Sequence, residues 1–191
     1  PYYSSDEYTS AIKILLSEWL IFGKQGRHFE NVFPQHLGQK YGVLTNSGSS
    51  ANLLMANVFK SKSMAMRKYH MPPGSKFITP VVCFPTTINP LIQAGYEPVF
   101  VDVDLPSMNL NLDEVEAELE KDPNIRAITF AHVLGNPPDM DRVMSLVEKY
   151  KLNFLEDSCD ALGSFYDGKK LGSFGLISTC SFFPAHHMTM G

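Results

Sequence analysis

The sequence predicts an α/β domain built on a mainly parallel sheet with helices on both faces. Three observations carry that prediction. Short apolar segments rich in Val, Ile and Phe alternate with amphipathic stretches of roughly 10 to 15 residues, the rhythm of strand–helix–strand units. Gly, Asn or Asp stands at many of the predicted helix ends. Five motifs, NSGSS, CFPTT, HVLGN, EDSCD and SFFPAHH, each follow directly on a predicted strand. That places them at the carboxyl edge, where such sheets gather ligands.

In chain order, a helix is expected over residues 6–20. Ser4 or Ser5 caps it, Asp6 and Glu7 occupy its first turn, and Tyr8, Ile12, Leu15, Leu16 and Trp19 recur at helical spacing. A second helix, over residues 29–40, presents Phe29, Phe33 and Leu37 on one side, has Pro34 near its start and stops at Gly42. Residues 43–45 read as a short strand, NSGSS as a turn and residues 51–69 as a long helix. Then come strand 76–82, helix 86–94 ended by Gly95, strand 98–103, helix 112–121 opened by Asn111, strand 125–130, helix 139–150 and strand 152–155. An apolar stretch over residues 176–183 runs into the closing tail SFFPAHHMTMG. No repeat, low-complexity segment or linker marks a second domain within residues 1–191.

Composition narrows the functional classes. With 44% hydrophobic and 19% charged residues the chain has the makings of one sizeable core, and disorder is not expected. A net charge of -4, with no basic run longer than Lys169-Lys170, speaks against nucleic acid as a partner. The apolar stretches fall short of the roughly 18 to 20 residues of a membrane span, and no basic-then-apolar leader opens the chain. A cytoplasmic protein with no membrane partner is expected. Cys83, Cys159 and Cys180 are odd in number, widely spaced and set among apolar or small residues, so they read as reduced, buried thiols rather than disulfides or a CxxC metal site.

The motifs carry the chemistry. At NSGSSAN, free backbone N–H groups, the positive end of a helix and the hydroxyls of Ser47, Ser49 and Ser50 surround one point beside Gly48. That is a seat for a phosphate, and equally the pattern of a serine N-cap on a tight turn. EDSCD sets Glu156 and Asp157 after an apolar strand, where a carboxylate needs a cationic partner such as a protonated pyridine nitrogen, or else caps the next loop. Phe84, after strand 76–82, stacks on an aromatic ring in the same cleft or fills the core. Histidine, with a pKa of about 6.5, takes up and returns a proton at neutral pH. His186 and His187 are adjacent and point in different directions, so one of them serves as a base. The alternatives are a plain loop pair or half of a metal site, and no acidic or cysteine ligand at metal spacing accompanies them.

Gly48-Ser49-Ser50 opening a helix, Asp157 in EDSCDALGS, and Ser181 followed five residues later by His186 resemble the fold-type I, pyridoxal-phosphate-dependent sugar aminotransferases of nucleotide-sugar pathways, the DegT/DnrJ/EryC1/StrS superfamily. The resemblance runs from WLIFGKQGRHFE through HVLGNPPDMD to the end of the chain. It implies an aspartate-aminotransferase-like large domain, incomplete over residues 1–191, with a small C-terminal domain still to follow. It also implies that a strand inserting beside residues 43–45 follows the tail, so that these residues alone leave a gap in their sheet and are poorly stable. In the aminotransferases an SF-x-x-x-K pattern supplies the lysine that holds the cofactor as a Schiff base, and here that position is His186.

This departure resembles the 3-dehydrases of 3,6-dideoxyhexose synthesis, most closely those acting on CDP-4-keto-6-deoxyglucose in lipopolysaccharide O-antigen pathways. The implied cofactor is pyridoxamine 5′-phosphate or pyridoxal 5′-phosphate, held without a covalent bond, and the implied base is His186. Asp157 would meet the pyridine nitrogen and Phe84 would stack on the ring. Gly48, Ser49, Ser50 and Ser181 would hold the phosphate. Asp160 stands near the ring hydroxyl, where aminotransferases carry glutamine. No metal is expected on these residues. A 2Fe–2S cluster held by later cysteines, a flavin or iron–sulfur reductase, a nucleotide-sugar substrate and a homodimer are implied in the same way. A cluster-free GDP-4-keto-6-deoxymannose 3-dehydratase and a non-catalytic scaffold are the rival readings.

Overall fold

The computed structural model describes residues 4–17, 19–61, 63, 69–105 and 107–190. Its strands are β1 (Lys76–Pro80), β2 (Glu97–Val101), β3 (Val103–Asp104), β4 (Asn109–Leu110), β5 (Ile125–Ala131), β6 (Asn153–Asp157), β7 (Phe165–Tyr166), β8 (Lys169–Lys170) and β9 (Ile177–Thr179). Its helices are α1 (Ser5–Leu16), α2 (Lys24–His36), α3 (Gly48–Val58), α4 (Pro85–Gln93), α5 (Leu112–Lys121) and α6 (Met140–Tyr150). Five strands pair in parallel in the order β2-β1-β5-β6-β9, while β3-β4 and β7-β8 form two short antiparallel ribbons that sequence reading did not foresee.

Alternation along the strands builds the two faces. Ile78, Ile128 and Phe154 point into a cluster with Val115 and Leu119 of α5 and Met140, Val143 and Leu146 of α6. Their neighbours Phe77, Ala127 and Leu155 point the other way, onto Met55 and Ala56 of α3 and Ile88 and Leu91 of α4. Successive strand residues thus serve opposite layers, so the inner strands carry apolar residues on both faces, as expected of a parallel sheet covered on both sides. Strand β2 lies at an edge, where Pro98 costs no ladder bond that a central position would need.

Helices with local signals fall where the sequence puts them. Asn111 Oδ1 accepts from the N–H groups of Asp113 and Glu114 and opens α5, whose Leu112, Val115 and Leu119 are buried. Asp139 caps α6 by accepting from the Arg142 N–H, and Gly95, at φ 90°, follows α4 in the left-handed region that glycine tolerates. Ser4 and Glu7 form a capping box on α1, but that helix ends at Leu16, short of the expected residue 20, because Ser17 caps it there, and its apolar stripe stays exposed.

Three expectations are corrected. The second helix runs over Lys24–His36, so Pro34 sits in its last turn rather than near its start; there its missing N–H removes one bond of the helix ladder, and the helix ends two residues later. The long helix over residues 51–69 begins earlier, at Gly48, because Ser47 caps it, and ends at Val58; residues 62 and 64–68 of that stretch lie outside the described residues. Residues 43–45 are not a strand. They form no ladder, Val43 is exposed, and the Leu44 N–H donates to Glu30 Oε1 at 2.7 Å instead. They and β9 line the same cleft without pairing.

Candidate active site

The cleft lies at the carboxyl ends of β5, β6 and β9, with a volume of about 780 Å³. Its floor is Asp157, the last residue of β6 and 3% exposed. Oδ2 accepts from Asn52 Nδ2 at 2.9 Å and from Thr87 Oγ1 at 2.8 Å, and Oδ1 accepts from the Cys159 N–H at 3.1 Å. Asn52 is held in turn by Thr179 Oγ1, which donates to its Oδ1 at 2.6 Å. Helices α3 and α4 and strands β6 and β9 are therefore joined at one carboxylate. Two donors fill Oδ2, and Oδ1 retains room for a further donor.

Glu156, one residue earlier, does different work. Strand alternation turns it to the opposite face, where it is fully buried. Its Oε1 meets His132 Nε2 at 2.9 Å and accepts from the Gly172 N–H at 2.6 Å, and its Oε2 accepts from the N–H groups of Phe174 and Gly175 at 2.9 and 2.7 Å. This carboxylate ties β6 to the turn that leads into β9. Its pairing also draws His132 away from the cleft, so HVLGN, although at the expected sheet edge, places no residue in the cleft lining; only Ala131 just before it does so.

One end wall is the start of α3. Ser47 Oγ accepts from the Ser50 N–H at 3.2 Å and donates to Ser50 Oγ at 3.1 Å, while the N–H groups of Gly48 and Ser49 make no hydrogen bond among the described residues. The cap and the open N–H groups thus coexist, so the two readings of NSGSS are not exclusive. A Cβ on Gly48 would lie 2.8 Å from Ser181 Cβ and 3.1 Å from Ser181 Oγ, so the absent side chain lets the tail close on the helix end. Ser49 Oγ donates to Thr86 Oγ1 at 3.1 Å. Ser50 stands apart from the other expected residues: it lines a smaller neighbouring cavity of about 250 Å³ with Thr86 and Asn89, not the main cleft.

The opposite wall is the tail. Phe182 meets Phe29 and Phe33 edge-on at 5.5 and 5.2 Å, which fastens the tail to α2. His186 lines the cleft, whereas His187 is exposed and does not. His186 Nε2 lies 3.2 Å from Asp160 Oδ1, and its Nδ1 is buried without a partner. Phe84, 66% exposed, presents its ring to the cleft from the residue that opens α4. All the expected residues but Ser50, namely Gly48, Ser49, Phe84, Asp157, Asp160, Ser181 and His186, therefore share one cavity. Sequence reading missed Asn52, Thr87 and Thr179; a run of uncharged polar residues in otherwise apolar helices and strands was the available signal.

The cysteines are spectators. Burial, with a smaller push from the Asp157 charge, raises the Cys83 thiol to about 11; burial raises Cys180 to about 11 as well and Cys159 further still. Among the described residues no group of three His, Cys, Asp or Glu side chains could hold a metal ion, and no helix is long and apolar enough to cross a membrane.

Architecture and cleft together define the class, an aminotransferase-like α/β domain of pyridoxal-phosphate fold type I. Within that class the chain belongs to the DegT/DnrJ/EryC1/StrS aminotransferase family, whose pattern matches residues 1–191. It is 42% identical over 180 residues to the lipopolysaccharide biosynthesis protein RfbH of Salmonella typhimurium, covering 94% of this chain and 40% of that protein. It is 40% identical to the dTDP-4-dehydro-2,6-dideoxy-D-glucose 3-dehydratase of Saccharopolyspora spinosa, over 97% of this chain and 39% of that one. The solved E. coli GDP-4-keto-6-deoxy-D-mannose-3-dehydratase with bound hydrated PLP superposes with a TM-score of 0.89 at 31% identity, over 99% of this chain and 47% of that one. The chain thus spans about two fifths to half the length of these relatives.

Proposed function

We propose that the cleft seats pyridoxamine 5′-phosphate and that the full-length protein removes the C3 hydroxyl of a nucleotide-linked 4-keto-6-deoxyhexose, with His186 moving the proton. One observation carries the reading. The described cleft lining contains no lysine, while a buried carboxylate with an open acceptor position forms the floor and a histidine the wall. The residues fit the cofactor. Asp157 Oδ1 would accept from a protonated ring nitrogen, the exposed Phe84 ring would cover one face, and the open N–H groups of Gly48 and Ser49 with the Ser49 and Ser181 hydroxyls would hold the phosphate. Bound there, the cofactor supplies an amine that condenses with the ketone and a ring that draws electrons. His186 would take the C–H proton and return it to the departing hydroxyl, so that water leaves.

The likeness to a lipopolysaccharide biosynthesis protein supports a role in lipopolysaccharide sugar synthesis, and within that reading we take the CDP-linked sugar, implied by the sequence resemblance, as the substrate. That reading includes a cytoplasmic homodimer, a 2Fe–2S cluster and an electron-donating reductase. The GDP-linked, cluster-free reaction is the second reading, favoured by the shared fold with the E. coli enzyme. Spectrophotometric titration of the cofactor-free, full-length protein with pyridoxamine phosphate tests the seat, and incubation with CDP-, GDP- and dTDP-linked 4-keto-6-deoxy sugars tests the substrate. His186→Lys is expected to give a borohydride-trapped adduct with pyridoxal phosphate at that position. Failure of the wild type to bind pyridoxamine phosphate would sink the reading.

A further inference from the structure

We infer that Asn52 is a positioning residue for the cofactor seat: held by Thr179, it fixes the carboxylate of Asp157 so that Oδ1, and not Oδ2, is the oxygen offered to a ring nitrogen. The inference rests on the reading of the cleft as a pyridoxamine phosphate site. Asn52 is 2% exposed, on a helix whose adjoining residues are Ala51, Leu53, Leu54 and Met55. A buried amide is costly unless its hydrogen bonds are made, and here both of its ends are engaged. The direction of the chain is set by the carboxylate, which accepts and cannot donate. Nδ2 is therefore the end of the amide that meets Asp157 Oδ2, at 2.9 Å. The amide oxygen then faces Thr179, whose hydroxyl donates to it at 2.6 Å.

The two oxygens of a free carboxylate are equivalent, and these bonds make them different. Oδ2 takes up two side-chain donors, Asn52 Nδ2 and Thr87 Oγ1, whereas Oδ1 takes the Cys159 N–H and keeps a further acceptor position. Asn52 also stands one helical turn beyond Gly48 and Ser49, at the phosphate end of α3. One rigid element thus carries the phosphate seat and braces the carboxylate at the ring end, which sets the separation of the two anchors. From the sheet side Thr179, in register with Asp157 on the neighbouring strand, locks the amide in place. Asn52 acts on the ring through Asp157, and Thr179 acts through Asn52.

The test uses the full-length protein saturated with pyridoxamine phosphate. It reads the induced circular dichroism of the cofactor band per bound cofactor, a signal set by the orientation of the ring and not by the stability of the fold. Asn52→Leu is expected to lower that signal at least about twofold, to weaken cofactor affinity about three- to tenfold and to lower kcat about tenfold. Thr179→Val, nearly the same shape without the hydroxyl, is expected to move all three in the same direction by a smaller factor. The double variant is expected to match Asn52→Leu alone, since both substitutions cut one chain of contacts. Unchanged dichroism and turnover in folded Asn52→Leu, or additive losses in the double variant, overturn the inference while leaving the cofactor seat standing. If Asn52→Leu does not fold, Thr179→Val decides, and wild-type dichroism and affinity in that variant overturn the inference. Failure of the wild type to bind pyridoxamine phosphate overturns the functional reading, and the inference with it.

Discussion

The floor and the tail wall of the cleft are built to different standards. At the floor Asp157 is buried and receives three donors from three segments, one of them, Asn52, itself pinned by Thr179. At the wall, His186 is partly exposed, and the aromatic contacts of Phe182 with α2 and the proximity of His186 to Asp160 are among the contacts that tie the tail to the rest of the fold. A fixed floor suits a group that only has to sit and hold charge. On the proposed function, a more lightly tied wall would suit a group that gives and takes a proton.

That contrast can be broken in order of expected effect. His186→Gln is predicted to lower kcat more than about hundredfold while pyridoxamine phosphate affinity changes less than about threefold, measured by steady-state turnover and by titration; a large loss of affinity would make His186 part of the seat. Asp157→Ala should do the reverse. It would weaken cofactor binding by about ten- to hundredfold and, by leaving three buried donors without their acceptor, lower unfolding free energy by about 2 to 4 kcal/mol. Glu156→Gln would sharpen the distinction between adjacent carboxylates, because its loss of charge among three backbone N–H groups and His132 should cost about 3 kcal/mol in urea unfolding with a smaller change in affinity than at Asp157. Gly48→Ala forces Ser181 and the end of α3 apart, and a several-fold weaker phosphate contact is expected in the same titration.

The smallest effect concerns the thiols. With Cys83 raised to about 11, alkylation at pH 8 should run about a hundredfold slower in the folded protein than in urea, as the thiolate fraction falls tenfold per unit. The sign of the pH dependence follows. Above pH 9 the unfolded chain releases thiol protons that the folded chain keeps, so stability falls as pH rises from about 9 to about 11. Urea midpoints across that window check it, and a flat profile would mean the thiols are more exposed than the structure places them.

Legibility follows the range of the interaction. Helices α5 and α6 were readable nearly to the residue because an asparagine or aspartate cap and a repeating apolar face lie within a dozen positions of each other. Residues 43–45 have strand composition but no strand, since a ladder needs a neighbour and composition cannot supply one. Asn52 and Asp157 are 105 positions apart, Thr87 and Asp157 are 70 apart, and no local pattern links them. Two carboxylates in EDSCD looked alike in the sequence; alternation guarantees that they face opposite ways, but only the packed layers say which way the cleft lies.

The sequence by itself determined the alternating α/β order and both helix-covered faces of the sheet, and its family resemblance led to the expectation of a histidine, His186, where the aminotransferases carry lysine. Those rest on local periodicity, capping and residue identity. Tertiary structure alone decided that Glu156 braces the sheet while Asp157 floors the cleft, that His186 and not His187 lines it, and that Asp160 stands at the histidine. Each of these depends on which backbone segments pack together, and a side chain's chemistry is set by the atoms brought against it, not by its neighbours in the chain.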